Sequence, residues 1–116
     1  MATFEAMQAI LARQLTMTVA TWSRLVSHGV TDGAPLALDF FFHSPSIDRA
    51  RELQEFLQRE TDYSVSITAD KDEWTVYGST QPTEVSLSVL QQWVDWMVSA
   101  GYRFDAVFDG WGAEAG

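Results

Sequence analysis

The sequence has 116 residues, of which 47% are hydrophobic and 13% aromatic. This composition is typical of a folded domain and excludes a disordered chain. There is no cysteine, which excludes a disulfide framework, a thiolate metal site and a cysteine nucleophile. The formal net charge is −9, and an acidic surface repels phosphates, so we expect no direct binding of nucleic acid. The charge serves either solubility alone or a basic protein partner.

Residues 1–30 predict an N-terminal amphipathic helix. Apolar residues recur at three- and four-residue steps between Phe4 and Ser27, with Thr3 as the N-cap and Gly29 as the stop. The stripe comprises Phe4, Met7, Leu11, Leu15, Thr18, Trp22 and Leu25. Polar residues interrupt the first fifteen positions, so we predict neither a signal peptide nor a membrane span and expect a cytoplasmic protein. We expect the stripe to pack on the chain's own sheet, and a homodimer through this helix is the alternative.

Residues 31–116 predict a second domain with the element order βαββαβ, in which Ser44 caps the first helix. The predicted elements are the strands Leu36–His43, Asp62–Ala69, Glu73–Ser79 and Arg103–Gly112, and the helices Pro45–Glu60 and Glu84–Ala100. This order predicts an α+β fold of the ferredoxin-like type, a four-stranded antiparallel sheet with two helices on one face. Right-handed crossovers give the strand order fourth, first, third, second.

The other face of the predicted sheet stays open and mixes aromatic with acidic side chains. It holds Asp39, Phe41 and His43 of the first strand, Thr75 and Tyr77 of the third, and Asp105, Val107 and Asp109 of the last. Aromatic pairs on such a sheet stack bases in RNA-binding domains, but here carboxylates stand where RNA binding needs cations. The N-terminal helix is a candidate to cover this face, because its stripe needs a partner.

No constellation in the sequence indicates catalysis. Asp39 and His43 lie four residues apart on one strand, about 13 Å, which is too far for both to bind one metal ion. The serines form no nucleophile elbow, and Gly110-Trp111-Gly112 precedes no helix, as a phosphate loop would. Asp105 and Asp109 have a spacing that is common on solvated strands. We therefore predict a protein without catalytic residues, metal or cofactor.

Two tryptophans are candidates for contact with a partner. Trp96 falls beside the apolar stripe of the last predicted helix, where it either covers a flank or is exposed as an anchor. Trp111 stands between two glycines after the turn signal Asp109-Gly110, and it either closes the sheet edge or anchors a partner. With the acidic Asp105 and Asp109, these tryptophans are the predicted partner-binding residues.

The ending Phe108-Asp109-Gly110-Trp111-Gly112 resembles the signature of the RraB family, regulators of ribonuclease E activity. The run Leu36–His43, which follows Asp32-Gly33, is similar to the first strand of that family. A helix over 50–57, a strand over 63–67, the segment 74–76 and the long helix before the signature follow in the family's order. The resemblance covers about residues 31–114 and leaves out the N-terminal helix.

This resemblance implies a small, acidic, cytoplasmic bacterial protein with a ferredoxin-like fold and no catalytic residues. It also implies that the protein binds a ribonuclease E-type endonuclease, or the degradosome that contains it, and modulates RNA cleavage by protein contact. The alternative is a ligand-binding domain, unrelated to RNA decay, that uses the open face around Asp39, Phe41, His43 and Tyr77. That alternative predicts a pocket between the N-terminal helix and the open face.

Overall fold

The structure is a computed structural model that describes residues 3–113. Residues 1 and 116, the outer bounds of the two predicted domains, lie outside the described residues. In chain order the elements are α1 (Phe4–Ser27), β1 (Ala34–Leu36), β2 (Asp39–Ser44), α2 (Ile47–Glu60), β3 (Ser64–Asp70), β4 (Glu73–Ser79), β5 (Thr83–Val85), α3 (Leu87–Arg103) and β6 (Val107–Gly112).

The chain folds into helices and antiparallel sheets, and the predicted α+β class is confirmed. Four strands form the main sheet in the order β3-β4-β2-β6, which is the predicted strand order. β1 and β5 pair in a second, two-stranded sheet, in which Pro35 lies opposite Glu84. The sequence does not predict this second sheet, so the chain departs from a plain ferredoxin-like arrangement.

The main hydrophobic core lies between the four-stranded sheet and helices α2 and α3. On β2, Phe40 and Phe42 are fully buried and alternate with more exposed residues. Helix α3 approaches the sheet closely at Gly101, where an added Cβ would lie 2.8 Å from the carbonyl oxygen of Ala106. A side chain there would also press on the ring of Phe42, at 3.1 Å. The buried helix residues of this core are Ala50, Leu53, Phe56, Leu57, Val94, Met97, Val98 and Ala100.

Helix α1 has the predicted bounds, and the predicted N-cap is confirmed because Thr3 Oγ1 accepts a hydrogen bond from the Ala6 N–H. The helix packs against α3 and the edge strand β6. The side chain of Gln14, 2% exposed, donates to backbone carbonyls of β6. The expectation that α1 covers the open face is therefore wrong. An apolar stripe requires burial but does not specify where, and the unpaired edge of β6 takes this helix.

The first predicted strand is wrong at its start, because Leu36–His43 divides into two strands in two sheets. Leu36 ends β1 opposite Thr83 of β5, and β2 begins only at Asp39. Between them, Leu38 is buried and its N–H donates to the hydroxyl of Thr80 at 3.0 Å. The alternation of buried and exposed side chains continues through Leu38 across the break, so the two strands look like one strand in the sequence.

Both inner helices begin later than predicted, because different serines cap them. Ser46 Oγ accepts from the Arg49 N–H and caps α2, whereas Ser44 is the buried end of β2. Ser86 caps α3 and accepts from the Val89 N–H. The short strand β5 occupies Glu84 and Val85, which the sequence predicts as the first turn of the second of these helices. β3 likewise begins two residues later than predicted, and the bounds of β4 are confirmed.

The last predicted strand also begins too early. Helix α3 runs past Gly101 to Arg103, and Phe104 is its C-cap. Asp105 then has a positive φ of 56°, and the Ala106 N–H donates to the carbonyl of Gly101 at 2.9 Å. Because of this turn, β6 starts only at Val107. The prediction that Asp105 is a strand residue of the open face is therefore wrong.

Candidate protein-contact surface

One face of the main sheet carries α2 and α3, and no helix of the described residues packs on the other, which we call the open face. Strand alternation and register place on it Asp39, Phe41 and His43 of β2, Ser64, Ser66, Thr68 and Asp70 of β3, Glu73, Thr75, Tyr77 and Ser79 of β4, and Val107 and Asp109 of β6. The five predicted face residues on β2 and β4 do lie together. Sequence reasoning missed Asp70 and Glu73 because Asp70-Lys71-Asp72 has the composition of a turn, whereas β3 extends to Asp70 and pairs it with Glu73 of β4.

An aromatic pair occupies the centre of the open face. Phe41 lies directly opposite Tyr77 on β4, and Tyr77 lies opposite Ser66 on β3. On the other side Phe41 pairs with Gly110 of β6, which has no side chain. Phe41 is 43% exposed and Tyr77 39% exposed. Two large rings therefore remain accessible side by side, with small neighbours on both flanks.

A β-bulge brings Asp109 onto the open face. In β6, Phe108 pairs with Phe42 and Gly110 with Phe41, so Asp109 is the extra residue between them. Bulges of this kind redirect a side chain, and Asp109 Oδ2 lies 3.1 Å from Nε2 of His43. An acidic and an imidazole group from neighbouring strands are thus in contact, and both side chains are partly exposed.

The charges of the protein are segregated between the sheet and the helices. Among the strands that the structure describes, the main sheet carries Asp39, Asp70, Glu73 and Asp109, and none carries Lys or Arg. All six arginines lie on helices, and Lys71 lies in the β3–β4 turn. By alternation the four carboxylates share the open face. Asp39 is held in place by the Ser79 hydroxyl, which donates to Oδ1 at 2.6 Å.

A shallow hollow continues the open face at the β3–β4 hairpin. Its volume is about 290 Å³, and it is lined by His43, Asp70, Lys71, Asp72 and Glu73. Within residues 3–113 no group of three or more His, Asp or Glu side chains is arranged to hold a metal ion. The hollow is therefore an acidic recess beside the open face.

The predicted contact residue Trp111 lies on the helix-covered side of the sheet. It pairs with the buried Phe40 across β2 and β6. Its Nε1–H donates to Thr18 Oγ1 at 3.0 Å, and its ring meets that of Trp93 edge-on, with centroids 6.1 Å apart. Trp111 packs against both apolar clusters of the molecule. Trp111 of β6 thus contacts both α1 and α3. These contacts match the first of its two predicted roles, closing the edge of the sheet.

The signature residues divide between the interior and the surface. Phe108 is 1% exposed and packs in the core, whereas Asp109 is exposed on the open face. Gly110 has a φ of +149°, a conformation that L-residues with a side chain rarely adopt. Gly112 pairs with Asp39 at the end of β6. Only one side chain of the signature is therefore presented to the open face.

The predicted contact residue Trp96 lies on a different surface. Its ring stacks on Phe56 of α2 at a centroid distance of 5.8 Å and is 39% exposed. The Arg103 guanidinium also lies 4.8 Å from the centre of the Phe56 ring. The structure therefore does not bring Trp96, Trp111 and Asp109 together, since they belong to the outer helix surface, the helix-covered side of the sheet and the open face.

A hydrogen-bonded pair supports the core behind the sheet. The Nε1–H of Trp93 donates to the Tyr63 hydroxyl oxygen at 3.0 Å. Burial raises the pKa of Tyr63, the Trp93 hydrogen bond opposes that rise by stabilising the phenolate, and the charge of Asp62 adds to the rise. Tyr63 is thus kept in its neutral form by its surroundings.

Two further observations bear on the expected pocket and on membranes. A cavity of about 530 Å³ lies where the last turns of α1 meet the end of β6, lined by Thr21, Arg24, Leu25, His28, Trp111, Gly112 and Ala113. It opens beside the sheet edge, so the predicted pocket between α1 and the open face is not found among the described residues. No helix in this part of the chain is both long and apolar enough to cross a membrane.

These features define a small α+β protein with one uncovered, acidic and aromatic sheet face. The chain belongs to the RraB family: the family model described as regulator of ribonuclease activity B matches residues 16–113. The match confirms the resemblance seen in the signature, and it begins inside α1 rather than at residue 31. A search of curated proteins gave no match.

Proposed function

We propose that this protein regulates an RNA-cleaving enzyme by binding to it, and that it catalyses no reaction itself. The observation that carries the proposal is the family match over residues 16–113, whose description names a regulator of ribonuclease activity. The target that the resemblance implies is a ribonuclease E-type endonuclease, alone or in the degradosome. The encounter takes place in the cytoplasm, the compartment expected from the sequence.

The open face is the surface we assign to this contact. A regulator of a nuclease acts either on the enzyme or on its RNA, and the two options require opposite charges. RNA binding by a sheet face needs cations beside the aromatic residues, whereas the described strands of the main sheet carry four carboxylates and no Lys or Arg. The charge therefore favours contact with the protein and disfavours capture of its substrate.

The buried surface of α1 argues against the alternatives drawn from the sequence. Thr18 and Leu25 of the apolar stripe are buried against the rest of the chain, as is Gln14 beside them, so this part of the stripe is not free to pair with a second copy. The ligand-binding alternative needed a pocket between α1 and the open face, and α1 lies at the β6 edge instead. We therefore propose neither a homodimer through this stripe nor an enzyme.

The test is a cleavage assay with a purified ribonuclease E-type endonuclease and a fluorescent RNA substrate. We expect the protein to change the cleavage rate and to form a complex with the enzyme that weakens as salt rises. A ribonuclease of an unrelated family is the matched control, because capture of the RNA would slow both enzymes. An unchanged rate with no complex at low salt would contradict the proposal.

A further inference from the structure

We propose that the open face recognises arginine side chains of its protein partner, with a guanidinium stacked on the rings of Phe41 and Tyr77. This inference rests on the proposed function and specifies the chemistry of the contact. The partner segment is basic, and its arginines matter more than its lysines. Four features of the open face lead to this choice.

The first feature is the accessible aromatic pair. Phe41 and Tyr77 are cross-strand partners and are 43% and 39% exposed. A planar guanidinium stacks on aromatic rings, whereas an ammonium group interacts with them only as a point charge. The two rings lie in a cross-strand row that Gly110 and Ser66 continue on either side. Because these two residues are small, a flat group has room to lie over the rings. The row therefore fits the shape of an arginine head group.

The second feature is the position of carboxylates beside the rings. Asp39 lies two residues before Phe41 on β2, a separation of about 7 Å along the strand. Asp109 reaches the other side of Phe41 through the bulge, where it contacts His43. Carboxylates bind a guanidinium through two parallel hydrogen bonds. An arginine stacked on the row thus has an acidic partner in either direction.

The third feature is the lack of internal neutralisation. No strand within residues 3–113 carries Lys or Arg. Of the basic residue types, His43 contacts Asp109, and Lys71 at the hairpin tip lines the hollow together with Asp70 and Glu73. The fourth feature is the acidic hollow of about 290 Å³, which extends the surface for a second basic residue. Charge complementarity therefore selects a basic segment as the occupant, rather than an acidic or apolar one.

The experiment measures the affinity of the full chain for two peptides of equal length and charge, one with arginines and one with lysines at the same positions. Fluorescence anisotropy at low salt gives both dissociation constants. We expect the arginine peptide to bind roughly tenfold more tightly than the lysine peptide, because the guanidinium gains this affinity by stacking on the rings at a partly desolvated site. The variant Phe41→Leu/Tyr77→Thr should bind both peptides equally, and Asp39→Asn/Asp109→Asn should weaken both.

A matched control is Glu55→Gln/Asp95→Asn, which removes two exposed helix carboxylates and should leave both affinities unchanged. Equal binding of the two peptides by the wild-type chain would overturn the inference, as would a ring-deleted variant that keeps the arginine preference. Light scattering would overturn the inference in another way if it showed that the wild-type chain self-associates and that Arg49→Gln/Arg51→Gln does not. The occupant of the open face would then be the arginines of a second copy of this chain. If arginine preference holds but the endonuclease is neither bound nor regulated, the proposed function fails alone. If regulation persists without arginine preference, only this inference fails.

Discussion

The side-chain amide of Gln14 donates a hydrogen bond to the backbone carbonyl of Asp109, with 3.2 Å between nitrogen and oxygen. The same nitrogen lies 3.4 Å from the carbonyl oxygen of Phe108. A helix thereby satisfies acceptors that an edge strand otherwise offers to another chain. This contact holds α1 at the edge of β6 and leaves the open face uncovered.

We expect Gln14→Leu to lower the free energy of unfolding by about 1–3 kcal/mol, because it removes the donor and leaves buried carbonyl oxygen without a partner. Urea denaturation monitored by circular dichroism measures the change. Gln8→Leu, an exposed glutamine on the same helix, is the control and should stay within about 0.5 kcal/mol of the wild type. Equal effects of the two substitutions would show that the Gln14 bonds contribute nothing to stability.

The second prediction concerns Trp111. Trp111→Ala removes a large ring that packs against both apolar clusters, and we expect it to cost about 3 kcal/mol or more. Trp111→Phe keeps most of the packing and loses the hydrogen bond to Thr18, so about 1 kcal/mol is expected. A double-mutant cycle with Thr18→Val isolates that bond. Unchanged stability in Trp111→Ala, with lost binding to the endonuclease, would make Trp111 a contact residue instead.

The third prediction is a dependence of stability on alkaline pH that arises from Tyr63. Its pKa is raised in the folded state, chiefly by burial, so near pH 10 the unfolded chain ionises before the folded one does. The contribution of Tyr63 to the free energy of unfolding is therefore fully present below the ordinary tyrosine pKa, and it falls as pH rises toward the folded-state pKa. We expect Tyr63→Phe to reduce the slope of unfolding free energy between about pH 9 and 11. A slope in Tyr63→Phe equal to that of the wild type would contradict the prediction.

Much of the fold follows from the sequence because long periodic segments carry strong signals. Helix α1 has its predicted bounds, since its stripe is long and Thr3 and Gly29 mark its ends. The short strands β1 and β5 escape prediction because three residues show no usable period. The alternation in the sequence continues through Asp105 and predicts a strand there, and only the positive φ of this residue reveals the turn.

The candidate surface is predictable to a similar degree. Alternation alone places Phe41 and Tyr77 on one face, and the register makes them partners. The bulge at Asp109 cannot be foreseen, because Asp109-Gly110 has the composition of a turn and here lies within a strand. The position of α1 depends on a polar residue, Gln14, within an apolar helix face. A glutamine at that place in the stripe is the one signal that could have indicated a contact with exposed backbone.

The last prediction separates the two exposed aromatic surfaces. Phe41→Leu/Tyr77→Thr alters the open face, and Trp96→Leu alters the outer surface of α3, where the ring stacks on Phe56. Each substitution should change unfolding free energy by about 1 kcal/mol or less, because the rings are partly exposed.

In the cleavage assay, we expect the open-face variant to lose its effect on the ribonuclease E-type endonuclease while Trp96→Leu keeps it. We expect this difference because the two surfaces differ in charge. The open face carries four carboxylates beside its rings, whereas Trp96 and Arg103 both contact the ring of Phe56. A basic partner is therefore attracted more strongly to the first surface than to the second, where Arg103 opposes it. The reverse result, with regulation lost only in Trp96→Leu, would move the contact to the helices and reject the open face as the regulatory surface.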